Sequence, residues 1–290
     1  MKMNLWRTAP GLFLLLATAD AGAESSVWRI SSSRAAVYLA GSCHVMRSSD
    51  LPLPAEFEKA YQNSRRIIME APIDDLAKPE YLTKLIQAAT YSDGTTLREH
   101  ISPHAYALTE AFCKERSYPL EQFQIFRPWM LTMTLTMLEM ARIGADAQNG
   151  VDSIFNEKAK EDGKELGSLE SVDQQIGFLT SMDGSMGDDQ IEETIDELRQ
   201  IGIKGPQILG AWKKGDEIKL EELTAGELKA HPKLRQALLV DRNKRWIKAI
   251  EGYLDGPENT MVIVGVAHLV GMNSVVDLLR QRGYQVAKLK

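Results

Sequence analysis

The sequence predicts an α/β protein with a largely helical middle, and three observations point there. Apolar runs of strand length gather toward the two ends of the 290-residue chain. From about residue 76 to 163, apolar side chains recur at three- and four-residue spacing, the mark of amphipathic helices. The segment from Met261 onward reads strand, helix, strand, which is the punctuation of a βαβ unit. One α/β domain over 24–290 is expected, with the helical stretch inserted into it, rather than two independent domains.

Taken in order, Val27-Trp28-Arg29-Ile30 and Ala36-Val37-Tyr38-Leu39-Ala40 are predicted strands joined by a Ser-rich turn. The second runs into Gly41-Ser42-Cys43-His44. Leu53 to Asn63 suits a helix, with Pro52 and Pro54 near its start. Ile67-Ile68-Met69 is a short apolar strand that closes on Glu70. Helices are predicted over Tyr81 to Ala89, Pro103 to Arg116 and Pro128 to Ile143, Pro128 fitting a first helical turn. Met130, Met133, Met137 and Met140 recur at helical spacing and are expected to fill core rather than bind metal, since Met suits irregular apolar gaps. Asp152 is placed as the N-cap of a helix running through Lys160. Glu165 to Glu170 is strand-like and again ends on a carboxylate, and Ser171 to Thr180 follows as a helix. Asp183 to Asp189, acidic and rich in Gly and Ser, reads as a loop. Helices are expected from Gln190 to Leu198, Pro206 to Lys213 and Lys233 to Leu254. Met261-Val262-Ile263-Val264 is a buried-strand pattern leading into Gly265-Val266-Ala267-His268. A helix from Gly271 to Arg282, stopped by Gly283, and a strand over Tyr284 to Leu289 complete the chain.

Residues 1–23 read as a cleaved signal peptide: Lys2 and Arg7, an apolar run over Leu12 to Ala17, and the small-x-small pattern Ala21-Gly22-Ala23. The expected location is periplasmic or secreted, with no membrane anchor after cleavage, because no later apolar run approaches the ~20 residues of a span. The net charge of -6, with acids and bases interleaved, excludes a nucleic-acid partner. Cys43 and Cys113 are too few for a disulfide framework, and whether they pair is open at this stage.

Two phrases carry chemistry because they repeat. Gly41-Ser42-Cys43-His44 and Gly265-Val266-Ala267-His268 are both Gly-x-x-His, each behind an apolar strand. A glycine at a strand end permits a backbone turn that other residues resist, and an imidazole three residues on can turn back over the sheet edge. Two such strands side by side would unite two imidazoles, the first requirement of a hydrolytic metal site. Glu70 closes a third strand in the same style. His100, His104 and His231 lie in helical or turn regions and read as surface residues.

The ordered set of these phrases resembles the TraB/GumN family, to which the animal TIKI proteins are related. It comprises Tyr38 to Val45, Glu70, Arg127-Pro128-Trp129, Gly150-Val151-Asp152, Leu169-Glu170, Arg242 to Trp246, Val264 to Gly271 and Gly283-Tyr284-Gln285-Val286. The resemblance implies an EreA/ChaN-like mixed sheet flanked by helices. It also implies divalent-metal-dependent peptidase activity on a peptide or protein substrate. His44, His268 and Glu70 would be the metal ligands, with Mn, Co or Zn as the ion. Glu70 is alternatively the general base. Glu170 is a further ligand or a partner orienting a histidine. Arg242 and Asn243 either stabilise an oxyanion or serve structurally in the last long helix, and Arg127 and Trp129 brace the insertion. Two other readings compete: a metal-independent hydrolase resembling the erythromycin esterases, and a non-catalytic binding protein like the haem-binding ChaN branch. No Gly-x-Ser-x-Gly elbow and no His-Glu-x-x-His helix occurs, which removes two common hydrolase chemistries.

Overall fold

Strands that are apolar on every residue, such as Met261 to Val264, are stable only where both faces are covered, so they belong at the centre of a parallel sheet. The computed structural model, which describes residues 25–182 and 188–290, places them there. Among the described residues eight strands form: β1 Val27–Ser31, β2 Ala36–Ser42, β3 Met46–Arg47, β4 Arg66–Met69, β5 Ala145–Asp146, β6 Glu165–Ser168, β7 Thr260–Gly265 and β8 Val286–Lys288. Six make one mixed sheet in the order β6-β4-β7-β2-β1-β8, flanked by helices, while β3 and β5 pair antiparallel beside it. β6, β4, β7 and β2 run parallel; β1 is antiparallel to both β2 and β8. All six residues of β7 and all seven of β2 are buried.

The register decides where the chemistry falls. Ser42 stands opposite Gly265, and Met69 opposite both Ile263 and Ser168. The four parallel strands therefore finish along one edge, and His44, Glu70, Glu170 and His268 follow within a few residues of those ends.

Two apolar cores support this arrangement. The larger surrounds the sheet and includes Trp28, Leu39, Phe57, Trp212, Trp246 and Val262. The smaller lies among helices and joins Phe112, Leu131 and Leu135 to Ile191 and Ile195. The helical layer thus reaches past residue 163, because Asp188–Arg199 packs into it. Cys43 and Cys113 are both free, Cys43 packed against the larger core and Cys113 buried within the smaller. Among the described residues no helix is long and apolar enough to cross a membrane. The signal-peptide segment 1–23 and most of the Asp183 to Asp189 loop lie outside the described residues.

Several helices depart from the sequence reading. Ile201–Lys214 continues through Pro206; burial of Ala211 and Trp212 on the core outweighs the ~3 kcal/mol that an internal proline costs. The expected helix over Lys233 to Leu254 is divided by a wide π turn at Gln236–Val240, and Asp241–Asp255 follows it. Glu217–Leu223 forms a further helix, outside the expected ones. The methionine stripe of Pro128–Arg142 is not core. The buried face of that helix carries Trp129, Leu131, Thr132, Leu135 and Glu139, whereas Met137 is 45% exposed. Helical spacing defined a face correctly, but that face lies a step around the helix from the packed one.

Candidate active site

His44 leaves the end of β2 and turns its ring inward over the sheet edge. Its Nδ1 lies 3.1 Å from Asp152 Oδ1, and Ser42 Oγ donates to the same oxygen at 2.5 Å. Asp152 reaches this position because Gly150 lets its helix start against the His44 backbone. A Cβ at Gly150 would lie 2.2 Å from the His44 carbonyl oxygen, and the Val151 N–H donates to the Cys43 carbonyl. Asp152 is therefore not the N-cap expected from sequence, a place taken by Gly150. It is the group that holds His44.

His268 sits in the turn after β7 and is buried. Its Nδ1 lies 2.7 Å from Asn243 Oδ1, while Asn243 Nδ2 donates to the Asn273 carbonyl. That second bond fixes which end of the amide faces the ring, so Nδ1 carries the histidine proton and Nε2 keeps its lone pair. Asn243, expected to donate toward an oxyanion, has both arms committed to orienting His268. The Trp246 ring packs against the imidazole at 4.5 Å between centroids.

Glu70 stands between the two histidines. Each ring presents Nε2 to it at 3.9 Å, His44 to Oε2 and His268 to Oε1. The Gly265 N–H donates to Oε2 at 2.9 Å, and Arg242 Nη2 donates to Oε1. Gly265 has an unremarkable φ of -49°. What its missing side chain provides is room: a Cβ there would meet His44 Nε2 at 2.9 Å, Glu70 Oε2 at 3.6 Å and His268 Cδ2 at 3.6 Å. The three side chains thus surround a space that only glycine leaves open. A cleft of about 200 Å³ opens on it, lined by His44, Glu70, Asp152 and Gln175 among others.

Behind Glu70, Arg242 is saturated. Nε and Nη2 bond the two Glu170 oxygens at 2.9 and 2.7 Å, Nη2 also reaches Glu70, and Nη1 donates to the Leu238 carbonyl and toward His268 Nε2 at 3.4 Å. Glu170 accepts further bonds from Trp246 Nε1 and Gln175 Nε2. It was expected to bind metal or orient a histidine, and instead it anchors Arg242. Arg242, expected at an oxyanion, has no spare N–H in this arrangement.

The electrostatics follow from these contacts. The surrounding protein partly desolvates His44, whose side chain is half exposed, and so opposes its charge, but the hydrogen bond and charge of Asp152, with Glu70 beyond, raise its pKa to about 9. Burial likewise opposes charge on Glu70. His268 when protonated, Arg242, His44 and the Gly265 N–H more than reverse this and lower it to about 2. His268 goes the other way, because burial, against the pull of Glu70, brings it down to about 3. At neutral pH this describes a charged His44, an ionised Glu70 and a neutral His268. Burial first, then Asp152 and Asp50, push the Cys43 thiol up to about 12, so it stays protonated beside the site.

The donor chemistry fits a divalent ion: two imidazole Nε2 atoms and a carboxylate around one open space, with each Nδ1 tied back by Asp152 or Asn243, the supporting pattern of metal-binding histidines. The spacing is wider than a closed ligand shell, and among the described residues no group of three drawn together for an ion is found. His100 and His104 are exposed as expected, and His231 is tied to Glu193 and Gln190, away from this edge.

Residues 26–288 match the model of the TraB/PrgY/gumN family. The uncharacterized protein YbaP of Escherichia coli (strain K12) is 23% identical over 246 residues, covering 84% of this chain and 87% of that protein. Metalloprotease TIKI2 of Danio rerio is 23% identical over 304 residues, covering 86% of this chain and 57% of TIKI2. Metalloprotease TIKI1 of the same organism is 22% identical, with 93% and 64% coverage. No solved structure matches the chain.

Proposed function

Given that the chain belongs to the TraB/PrgY/gumN family, we propose that it is an exported, divalent-metal-dependent hydrolase acting on peptides. One observation carries this reading: imidazoles from two adjacent parallel strands face one carboxylate from the third, each with its Nδ1 held by a partner of its own. Two relatives bear the name metalloprotease, which supports the same chemistry.

His44 Nε2, His268 Nε2 and Glu70 would hold the ion, whose Lewis acidity would activate water and polarise the scissile carbonyl. Asp152 keeps the His44 proton on Nδ1, and Asn243 does so for His268, so both Nε2 atoms remain donors. Because the pKa of His44 is raised to about 9, the ring must shed its Nε2 proton before that nitrogen can act. Glu70 fits ligation better than proton abstraction, because a carboxylate lowered to about 2 is a weak base at neutral pH. Arg242 sets the orientation of Glu70 and balances its charge.

A second reading has one observation in its favour. Arg242 occupies the inner side of Glu70 and His268 where a ligand set would close, as suits a metal-independent hydrolase. There the Asp152–His44 pair would move the proton.

Dialysis against EDTA, followed by assay on a peptide library with Mn, Co or Zn restored, separates the two. Cleavage lost with the metal and regained with it supports the proposal. Cleavage that persists at negligible measured metal content supports the second reading, and no cleavage under any condition refutes both. Export rests on the charged and apolar pattern of residues 1–23; the secreted protein should begin at Glu24 by intact mass, and a mature protein that stays in the cytoplasm and still begins at Met1 would refute it.

A further inference from the structure

His44 borders two spaces. One is the cleft it shares with Glu70 and Asp152, and the other is a cavity of about 390 Å³. The cavity is walled by Met140 of the helix Pro128–Arg142, by Ile143 just past its end, and by Ile208 and Leu209 from another helix, with Met46 beside His44. Arg47 and Asp50 in its lining are paired with each other at 2.8 Å, and apart from His44 and Cys43 at the end facing the cleft the remaining lining residues are apolar or glycine. Size and lining match those of ordinary small-ligand sites.

Gly202 and Gly205, on the helix Ile201–Lys214, also line it. A Cβ at either position would meet nothing within 4 Å, so no neighbouring group of the chain requires glycine there. A glycine inside a helix costs ~1 kcal/mol relative to alanine. At these two positions the missing side chains leave the cavity wall open. Met140, on the half-buried methionine face, contributes an adaptable surface to the same wall.

We propose that this cavity is the specificity pocket of the candidate site, receiving a large apolar side chain (Leu, Met or Phe) next to the scissile bond of a peptide substrate. The proposal rests on the peptidase reading above. His44, which borders both spaces, is the hinge of the argument, because it puts the pocket directly beside the reacting bond.

The test compares wild type with Gly205→Leu, which projects a side chain into the cavity from open space. Gly210→Leu is the control: the same helix and the same Cβ clearance, but outside the lining. Peptides differing only in Leu, Phe, Ala or Asp flanking the cut are assayed, with the fold of each variant checked by circular dichroism. Wild type should favour Leu and Phe over Asp by roughly 10- to 100-fold in kcat/KM. Gly205→Leu should lower the bulky peptides at least tenfold more than the Ala peptide, and Gly210→Leu should keep the wild-type preference. Equal losses on all peptides, or an unchanged preference in Gly205→Leu, overturn the proposal. If nothing is cleaved, the peptidase reading fails and binding decides the pocket. In ¹³C-methyl methionine spectra, the Phe peptide should shift the Met46 and Met140 signals in wild type but not in Gly205→Leu. Unshifted wild-type signals overturn the proposal.

Discussion

Replacing Gly265 by alanine is expected to damage the site while leaving the fold nearly untouched. The new Cβ would lie 2.9 Å from His44 Nε2, against an ordinary contact of at least 3.4 Å, so the ring must retreat by about 0.5 Å. The other two neighbours, Glu70 Oε2 and His268 Cδ2, stand at 3.6 Å and need not move. The backbone does not object, since a φ of -49° suits any residue. His44 can yield, because half of its side-chain surface is exposed. Replacing Gly by Ala where the backbone allows it also restricts the unfolded chain, a gain of ~0.4–1 kcal/mol. The net change in stability should therefore stay within ~1 kcal/mol, or a shift in Tm of about 3 °C or less. The displaced ring, however, loses its alignment with both Asp152 and Glu70. Misplacement near 1 Å costs about 100-fold in rate, so a loss of roughly 10- to 100-fold in turnover and metal affinity is expected. The assay is thermal denaturation alongside calorimetric titration with Mn or Zn and peptide cleavage. Wild-type affinity and turnover would refute the idea that the space between these three side chains is the reaction centre. A collapse of Tm would instead make Gly265 structural.

Mutating His44 or His268 to Ala should reduce divalent-metal binding by at least tenfold, whereas His104→Ala, 72% exposed in its side chain, should not change it; calorimetry decides. Asp152→Asn should lower the His44 pKa from about 9 toward its ordinary value, read by ¹⁵N NMR of the ring, and weaken metal binding roughly 10- to 100-fold. For the pH dependence of stability, the two histidines act in opposite directions. His44, raised from 6.5, contributes stability that is complete below about 6.5 and lost as pH rises through about 9. His268, lowered from 6.5, is increasingly opposed by proton uptake in the unfolded chain as pH falls from 6.5 toward 3, and Glu70 adds to that loss as pH falls from 4.5 toward 2. Tm measured against pH should therefore peak near 6.5, and a monotonic rise from 6 to 9 would contradict the His44 assignment. Glu139→Ala should lower stability by ~1–3 kcal/mol in urea unfolding, since this fully buried carboxylate bonds Arg116, Arg142 and Tyr118.

What was legible in the sequence was what repeats or is continuous. The apolar runs before His44, Glu70 and His268 marked their strands, and the two Gly-x-x-His phrases marked two of the residues at the sheet edge. The supporting partners were not legible in their roles. Asp152 looked like a cap because it opens a helix, and its bond to His44 joins residues 108 apart in sequence. Asn243 is 25 residues from His268 and read as an oxyanion donor, since nothing local shows that Asn273 fixes its amide. Glu170 offered a strand-end carboxylate like Glu70, and only folding reveals that Arg242 and Trp246 take up its oxygens. The methionine stripe failed for a related reason, because helical periodicity identifies a face without saying which neighbour covers it.

The position of β7 has a consequence for the order in which the molecule becomes competent. The strand lies between β4 and β2 in the sheet, yet it comes almost last in the sequence. A growing chain can pair β4 with β6 and β1 with β2, but those two halves have no common edge until residues 260–265 arrive to lie between them. Pairings this distant are slow to form, since the long intervening loop must close first. His268, Asn243 and Arg242 arrive within the same late segment. A fragment released early would therefore carry His44 and Glu70 without their counterpart, and the full set of side chains at the sheet edge would come together only when the sheet is complete.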